Sequence, residues 1–102
     1  MEVVLMLSKN PLDLPRDRKF SKQEIAQALR WAIMAELDAI NFYIQFANAI
    51  DDEGIKRVFL DIAKEEKTHV GEFLALLEKL DPEQVEELKA GKEEVDELTG
   101  MK

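Results

Sequence analysis

Glu36, Glu66 and His69 are the residues of this 102-residue chain whose types and spacing could do chemistry. Carboxylate oxygens neutralise and bridge divalent or trivalent cations, and an imidazole nitrogen completes a coordination sphere. All three stand in otherwise apolar rows. Leu29, Ile33, Glu36, Ile40, Tyr43, Ala47 and Ile50 recur at alternating steps of four and three, and Glu36 is the one charge among them. Ile55, Phe59, Ile62, Glu66, His69, Phe73, Leu76 and Leu80 keep the same rhythm. That spacing holds one stripe of an α-helix against a partner. An unpaired carboxylate buried in such a stripe costs several kcal/mol, so it needs a compensating partner. A bound cation is one; a Glu/His hydrogen-bonded pair that only sets helix register is the other.

Two long helices must carry these residues. Ser21-Lys-Gln-Glu24 forms a capping box, which predicts a helix from about Lys22 to about Ile50. Asp51-Asp-Glu-Gly54 reads as a short turn rich in helix-capping residues, and a second helix follows to about Leu80. Asp81-Pro-Glu-Gln84 starts a short third helix with Pro82 at its first position, and Gly91 is its expected stop. Before these elements, Asn10-Pro11, Leu14-Pro15 and the charged run from Arg16 to Lys19 break any periodicity. The expected organisation is an irregular N-terminal arm over 1–20, a helical domain over 21–91 and a C-terminal tail over 92–102. The fold class is all-α: an antiparallel two-helix hairpin plus a short C-terminal helix, dimerising into a four-helix bundle.

In an antiparallel hairpin, positions equally far from the turn lie side by side. With the turn near residue 51, Glu36 stands fifteen positions before it and Glu66 fifteen after it. Both are then roughly 22 Å from the turn, at ~1.5 Å rise per residue, and His69 shares the face of Glu66. A four-helix di-iron site takes a Glu from each of two helices and a Glu-x-x-His from each of the other two. This chain carries one of each, so two copies about a two-fold axis would supply four Glu and two His. The same pairing would cover the open apolar faces of the hairpin.

Bulk properties narrow the classes further. The chain has 46% hydrophobic and 35% charged residues, which excludes disorder and a membrane protein alike. A formal charge of -8 argues against nucleic acid, which needs a basic face, and makes cations the natural clients. The absence of cysteine removes disulfides, thiolate zinc sites, iron–sulfur clusters and cysteine nucleophiles, and fits a reducing cytoplasm. Met1–Leu7 is apolar but has neither the positive start nor the cleavage site of a signal peptide, and no stretch approaches membrane-spanning length. Abundant Glu and Lys without Cys are compatible with a thermophilic source.

Through Ala35-Glu-Leu-Asp-Ala-Ile-Asn-Phe-Tyr43 and Glu65-Glu-Lys-Thr-His69 at this separation, the chain resembles the encapsulated ferritins. These are short ferritin-like hairpins that each carry half of a ferroxidase centre. The resemblance covers roughly Leu7 to Thr99. It implies that Glu36, Glu66 and His69 are ligands of a di-iron (Fe2+/Fe3+) centre, with Glu66 the bridge and Glu36 and His69 terminal, and that Tyr43 stands beside them in the catalytic set. It further implies a homodimer assembled into a ring of dimers, oxidation of Fe(II) to Fe(III), and mineral storage inside an encapsulin shell, within the cytoplasm. Some relatives have a Trp where this chain has Phe42, and an acidic entry site where it has Ala35 and Asp38. Glu97-Leu-Thr-Gly-Met101 loosely resembles a shell-targeting peptide, and in other members a similar tail continues into a fused shell domain.

The remaining residues have simpler expectations. Tyr43 on the apolar row fills the core, with a hydroxyl available to a ligand. Trp31 and Phe42, Phe46, Phe59 and Phe73 read as core or interface. Asp38, Asp61, Glu65 and Glu72 flank the row as a solvated face whose summed field raises local cation concentration. Three functions fit: a ferroxidase, a rubrerythrin-type di-iron peroxidase needing an outside electron donor, and a non-enzymatic dimerisation or cargo module.

Overall fold

A capping network starts the first helix, and its parts are close together in sequence. The Ser21 hydroxyl accepts from the Glu24 backbone N–H at 3.2 Å, and the Ser21 N–H donates back to Glu24 Oε1 at 2.9 Å. Both orphan donors are thereby satisfied. Arg18 adds a bidentate clamp on the same carboxylate, 2.7 Å to Oε1 and 2.9 Å to Oε2. The computed structural model describes residues 17–101, and within them all regular structure is helical. Helix α1 runs Lys22–Ala49, α2 Glu53–Leu80 and α3 Pro82–Thr99. The expected arm lies outside the described residues except for 17–20, which lead into α1 without regular structure.

Helices α1 and α2 are each 28 residues long and joined by Ile50–Asp52, a link short enough to force them antiparallel. Asp52 closes the link by accepting from the Ile55 N–H at 3.0 Å, so the second helix starts two residues before Ile55 and takes Gly54 into its first turn. The buried core is Ala26, Ile40, Ala47, Ala63 and Leu77. Counted from the turn, Ala26 is nearly level with Leu77 and Ile40 with Ala63. An alanine in each pair lets the helices approach closely.

The third helix departs from expectation. It passes straight through Gly91 and across the anticipated 91/92 boundary, ending only at Thr99. Gly100 is the stop, with φ 69°, the left-handed conformation that glycine adopts without a Cβ penalty. Glycine inside a helix costs about 1 kcal/mol relative to alanine, which good helix formers on both sides can outweigh. Here Glu86, Lys89 and Glu93 stand at spacings of three and four around it, and a Cβ at Gly91 would meet no atom within 4 Å. Residues 92–99 are therefore helix and not a loose tail.

Asp81 organises the joint between α2 and α3. Its Oδ1 accepts from the Gln84 N–H at 3.3 Å as the N-cap of α3, while its Oδ2 accepts from Arg30 of α1. Arg30 also reaches Gln84 Oε1 at 3.5 Å. Helix α3 otherwise stands away from the hairpin. The radius of gyration is 17.1 Å, against about 13 Å for a compact domain of this length.

Candidate metal centre

Helix α1 delivers one member of the centre and α2 the other two. Glu36 is in the middle of α1, and Glu66 and His69 lie one turn apart on α2, so packing of the two helices brings all three to one place. His69 Nδ1 lies 3.2 Å from Glu36 Oε2 and 3.4 Å from Glu66 Oε2. One donor atom from each residue falls within 4.8 Å of the others. Among the described residues this is the group of His, Asp and Glu side chains that could hold a metal ion.

The donor set fits a cation on chemical grounds. Two donors each about 2.1 Å from a shared ion, at roughly 100–110° to one another, stand about 3.2–3.4 Å apart. Both distances from His69 Nδ1 lie in that range. Without a cation, two carboxylates at this separation repel, and a single Nδ1–H shared between them makes two long bonds. A protonated imidazole would offset one of the two charges; a divalent cation would offset both while leaving Nδ1 free to coordinate.

Burial is graded across the trio. The Glu66 side chain is 16% exposed, Glu36 22% and His69 45%. The centre therefore has a closed side at Glu66 and an open side at His69. On the open side is a pocket of about 330 Å³ lined by Glu36, His69, Glu72, Phe73 and Leu76. Glu72 is exposed, as its expected place on a solvated face requires, and its spacing of three from His69 brings it to the rim of this pocket.

Tyr43 is two turns along α1 from Glu36, its ring 6.1 Å from that of Phe59 on the turn side of the trio. Phe46 meets Phe59 edge-on at 5.8 Å, and Phe42 lies 6.1 Å from Phe46. These four rings form a cluster between the centre and the turn. Phe42 and Phe46 remain about half exposed. Asp38 and Trp31 are partly covered, and Asp61 and Glu65 are exposed.

Comparison with known proteins gives a consistent grouping. The rubrerythrin family model matches residues 27–99. The chain is 58% identical over 96 residues to a ferritin-like–encapsulin shell fusion protein of Pyrococcus furiosus, covering 94% of this chain and 28% of that protein. It is 38% identical over 84 residues to the encapsulin nanocompartment cargo protein EncC of Myxococcus xanthus, covering 82% of this chain and 65% of that one. It thus spans less than two thirds of the length of either relative. A crystal structure of the encapsulated ferritin domain from Pyrococcus furiosus superposes with a TM-score of 0.86 at 57% identity, covering 94% of this chain and 98% of that one. The helical hairpin with a third helix has the ferritin-like fold, and the chain belongs to the rubrerythrin family and, within it, to the encapsulated ferritins.

Proposed function

We propose that the chain is a ferroxidase whose substrate is Fe(II), bound by Glu36, Glu66 and His69 and oxidised to Fe(III). The observation that carries this reading is the convergence of two carboxylates and one imidazole within 4.8 Å across two helices. On this reading Glu66, the least exposed of the three, would bridge the two cations, with Glu36 and His69 as terminal ligands. One hairpin holds half of the donor set of a carboxylate di-iron site. A second copy about a two-fold axis supplies the other Glu, Glu and His and buries the exposed apolar side chains of α2. Each of two Fe(II) ions then gives up one electron, and dioxygen takes the pair. Tyr43, at the edge of the aromatic cluster, orders the turn side of the centre and keeps it apolar.

The relatives' association with encapsulin supports a shell protein as partner, and storage of Fe(III) inside such a nanocompartment in the cytoplasm as the fate of the product. Among the described residues no helix is long and apolar enough to cross a membrane. The test of the ferroxidase reading is oxygen uptake on addition of Fe(II). Glu66→Ala and His69→Ala should each lower the Fe(II)-dependent rate by more than roughly 100-fold, since loss even of groups that only support a ligand costs 10–100-fold. Unchanged uptake in both variants would remove the proposal.

The rubrerythrin match favours one further reading, in which the same residues serve a peroxide-reducing centre. The chain has no cysteine, so electrons would come from a separate donor protein. Turnover with hydrogen peroxide faster than with dioxygen, in the presence of such a donor, would select it.

A further inference from the structure

We infer that Ala63 is a positioning residue of the centre: its small side chain sets the distance between α1 and α2 beside the ligands, and with it the size of cation that they can share. This inference rests on the reading of Glu36, Glu66 and His69 as the iron ligands. Glu36 is on α1, while Glu66 and His69 are on α2. The 3.4 Å from His69 Nδ1 to Glu66 Oε2 is therefore fixed within one helix, whereas the 3.2 Å to Glu36 Oε2 depends on how far apart the two helices stand. What holds them at that separation is the seam next to the trio.

Counted from the turn near residue 51, the trio falls between two seam layers. Ile40 and Ala63 stand eleven and twelve positions from the turn, Ile33 and Val70 eighteen and nineteen. Ile33 and Val70 are partly exposed, whereas Ile40 is 8% and Ala63 3% exposed. Helix α3 stands away from this level, so α1 buries Ala63 and α2 buries Ile40. The tight layer is thus Ile40 against Ala63, one turn from Glu36 and one turn from Glu66. The other buried alanines, Ala26 and Ala47, lie ten and eleven residues from Glu36. Packed helices stand about 8–10 Å apart according to the side chains at their contact, a range of roughly 2 Å. Metal–ligand distances tolerate only about 0.2 Å, so a few added carbons at Ala63 move Glu36 further than a small cation can follow. A wider gap suits longer bonds, such as the ~2.3–2.6 Å of calcium.

Cobalt(II) reports the geometry directly, because its visible absorption changes with the number and arrangement of its ligands. Titration of the full chain well below its melting temperature should show Ala63→Val binding Co(II) about 10- to 100-fold more weakly, the loss typical of removing a group that supports a ligand. The visible spectrum should change, and the preference for cobalt over calcium should fall. Ala47→Val adds the same carbons at an equally buried site remote from the trio. It should lower the melting temperature by a comparable amount and leave the cobalt affinity and spectrum as they are. Exchanging the two sizes, Ile40→Ala with Ala63→Leu, conserves the volume of the layer and should restore most of the lost affinity. Unchanged cobalt binding in Ala63→Val would overturn the inference, as would an equal loss in Ala47→Val. Should Ala63→Val not fold, the size-swapped variant decides: folded but unable to bind cobalt, it overturns the inference as well. Glu66→Ala keeps the two readings apart: if it binds cobalt as fully as the unmodified chain, the ligand assignment itself fails, whereas a loss in Glu66→Ala with none in Ala63→Val fails only the positioning role.

Discussion

A single side chain decides how the start of α1 responds to acid. Glu24 is held down to about 2 from an ordinary value of 4.5, chiefly by the hydrogen bonds from Arg18 and then by the Ser21 N–H. Its folded-state value is depressed, so the stabilisation it gives is complete above pH 4.5 and is lost as pH falls toward 2. Glu24 lies at the surface, so the effect belongs to the first turn of α1 and is weakened by salt. Melting temperatures of the unmodified chain and of Glu24→Gln should differ at neutral pH, converge between pH 4.5 and 2, and coincide below that window. A constant difference across the range would show that the clamp is not electrostatic. The Ser21–Glu24 box was readable in advance because its two members stand three residues apart. Arg18 was not, since its reach depends on how residues 17–20 bend, and no local pattern encodes that. The convergence of Glu36, Glu66 and His69 was readable for a different reason: a charge on an apolar row is conspicuous, and fifteen residues on either side of a turn is arithmetic.

Helix lengths and the hairpin register followed from caps and periodicity, because α1 and α2 begin and end on short-range chemistry. Helix α3 did not, because two glycines competed for its end. Gly91 is flanked by helix formers on both sides, while Gly100 comes after Thr99, whose hydroxyl bonds back to the Val95 carbonyl at 2.7 Å. A glycine stops a helix when the residues beyond it cannot continue the spiral, and beyond Gly91 the chain could. Since a methyl at Gly91 meets nothing within 4 Å and the backbone there is helical, Gly91→Ala should raise the unfolding free energy by about 0.5–1 kcal/mol, read as an upward shift in the denaturant midpoint. A downward shift would mean that this face of α3 is in close contact with another molecule.

As a whole, one copy is poorly covered. Among the described residues the five buried side chains make a thin core, and Val58 at 58% and Leu76 at 50% exposed share the α2 face that carries His69. A face that is apolar at its ends and ligand-bearing in its middle asks for a second copy on energetic and chemical grounds together. Sedimentation equilibrium should find a dimer or a multiple of one, and Val58→Asp should shift it toward monomer. Removing cations with a strong chelator should lower the melting temperature and steepen its dependence on protein concentration. A dimer equally associated and equally stable in chelator would favour the cargo-module alternative, in which Glu36 and His69 merely set register. The single-chain sequence pointed to the proposed pairing because two Glu and one His make half the donor set of a carboxylate di-iron site. It could not show which flank of the trio stays open, since that depends on the rotation of α2 against α1.

The joint at Asp81 has a simple mechanical meaning. One carboxylate caps the start of α3 with one oxygen and takes the guanidinium of Arg30 with the other. Removing that one group therefore uncaps the third helix and leaves it tied to the first only through the longer reach of Arg30 to Gln84 Oε1 at 3.5 Å.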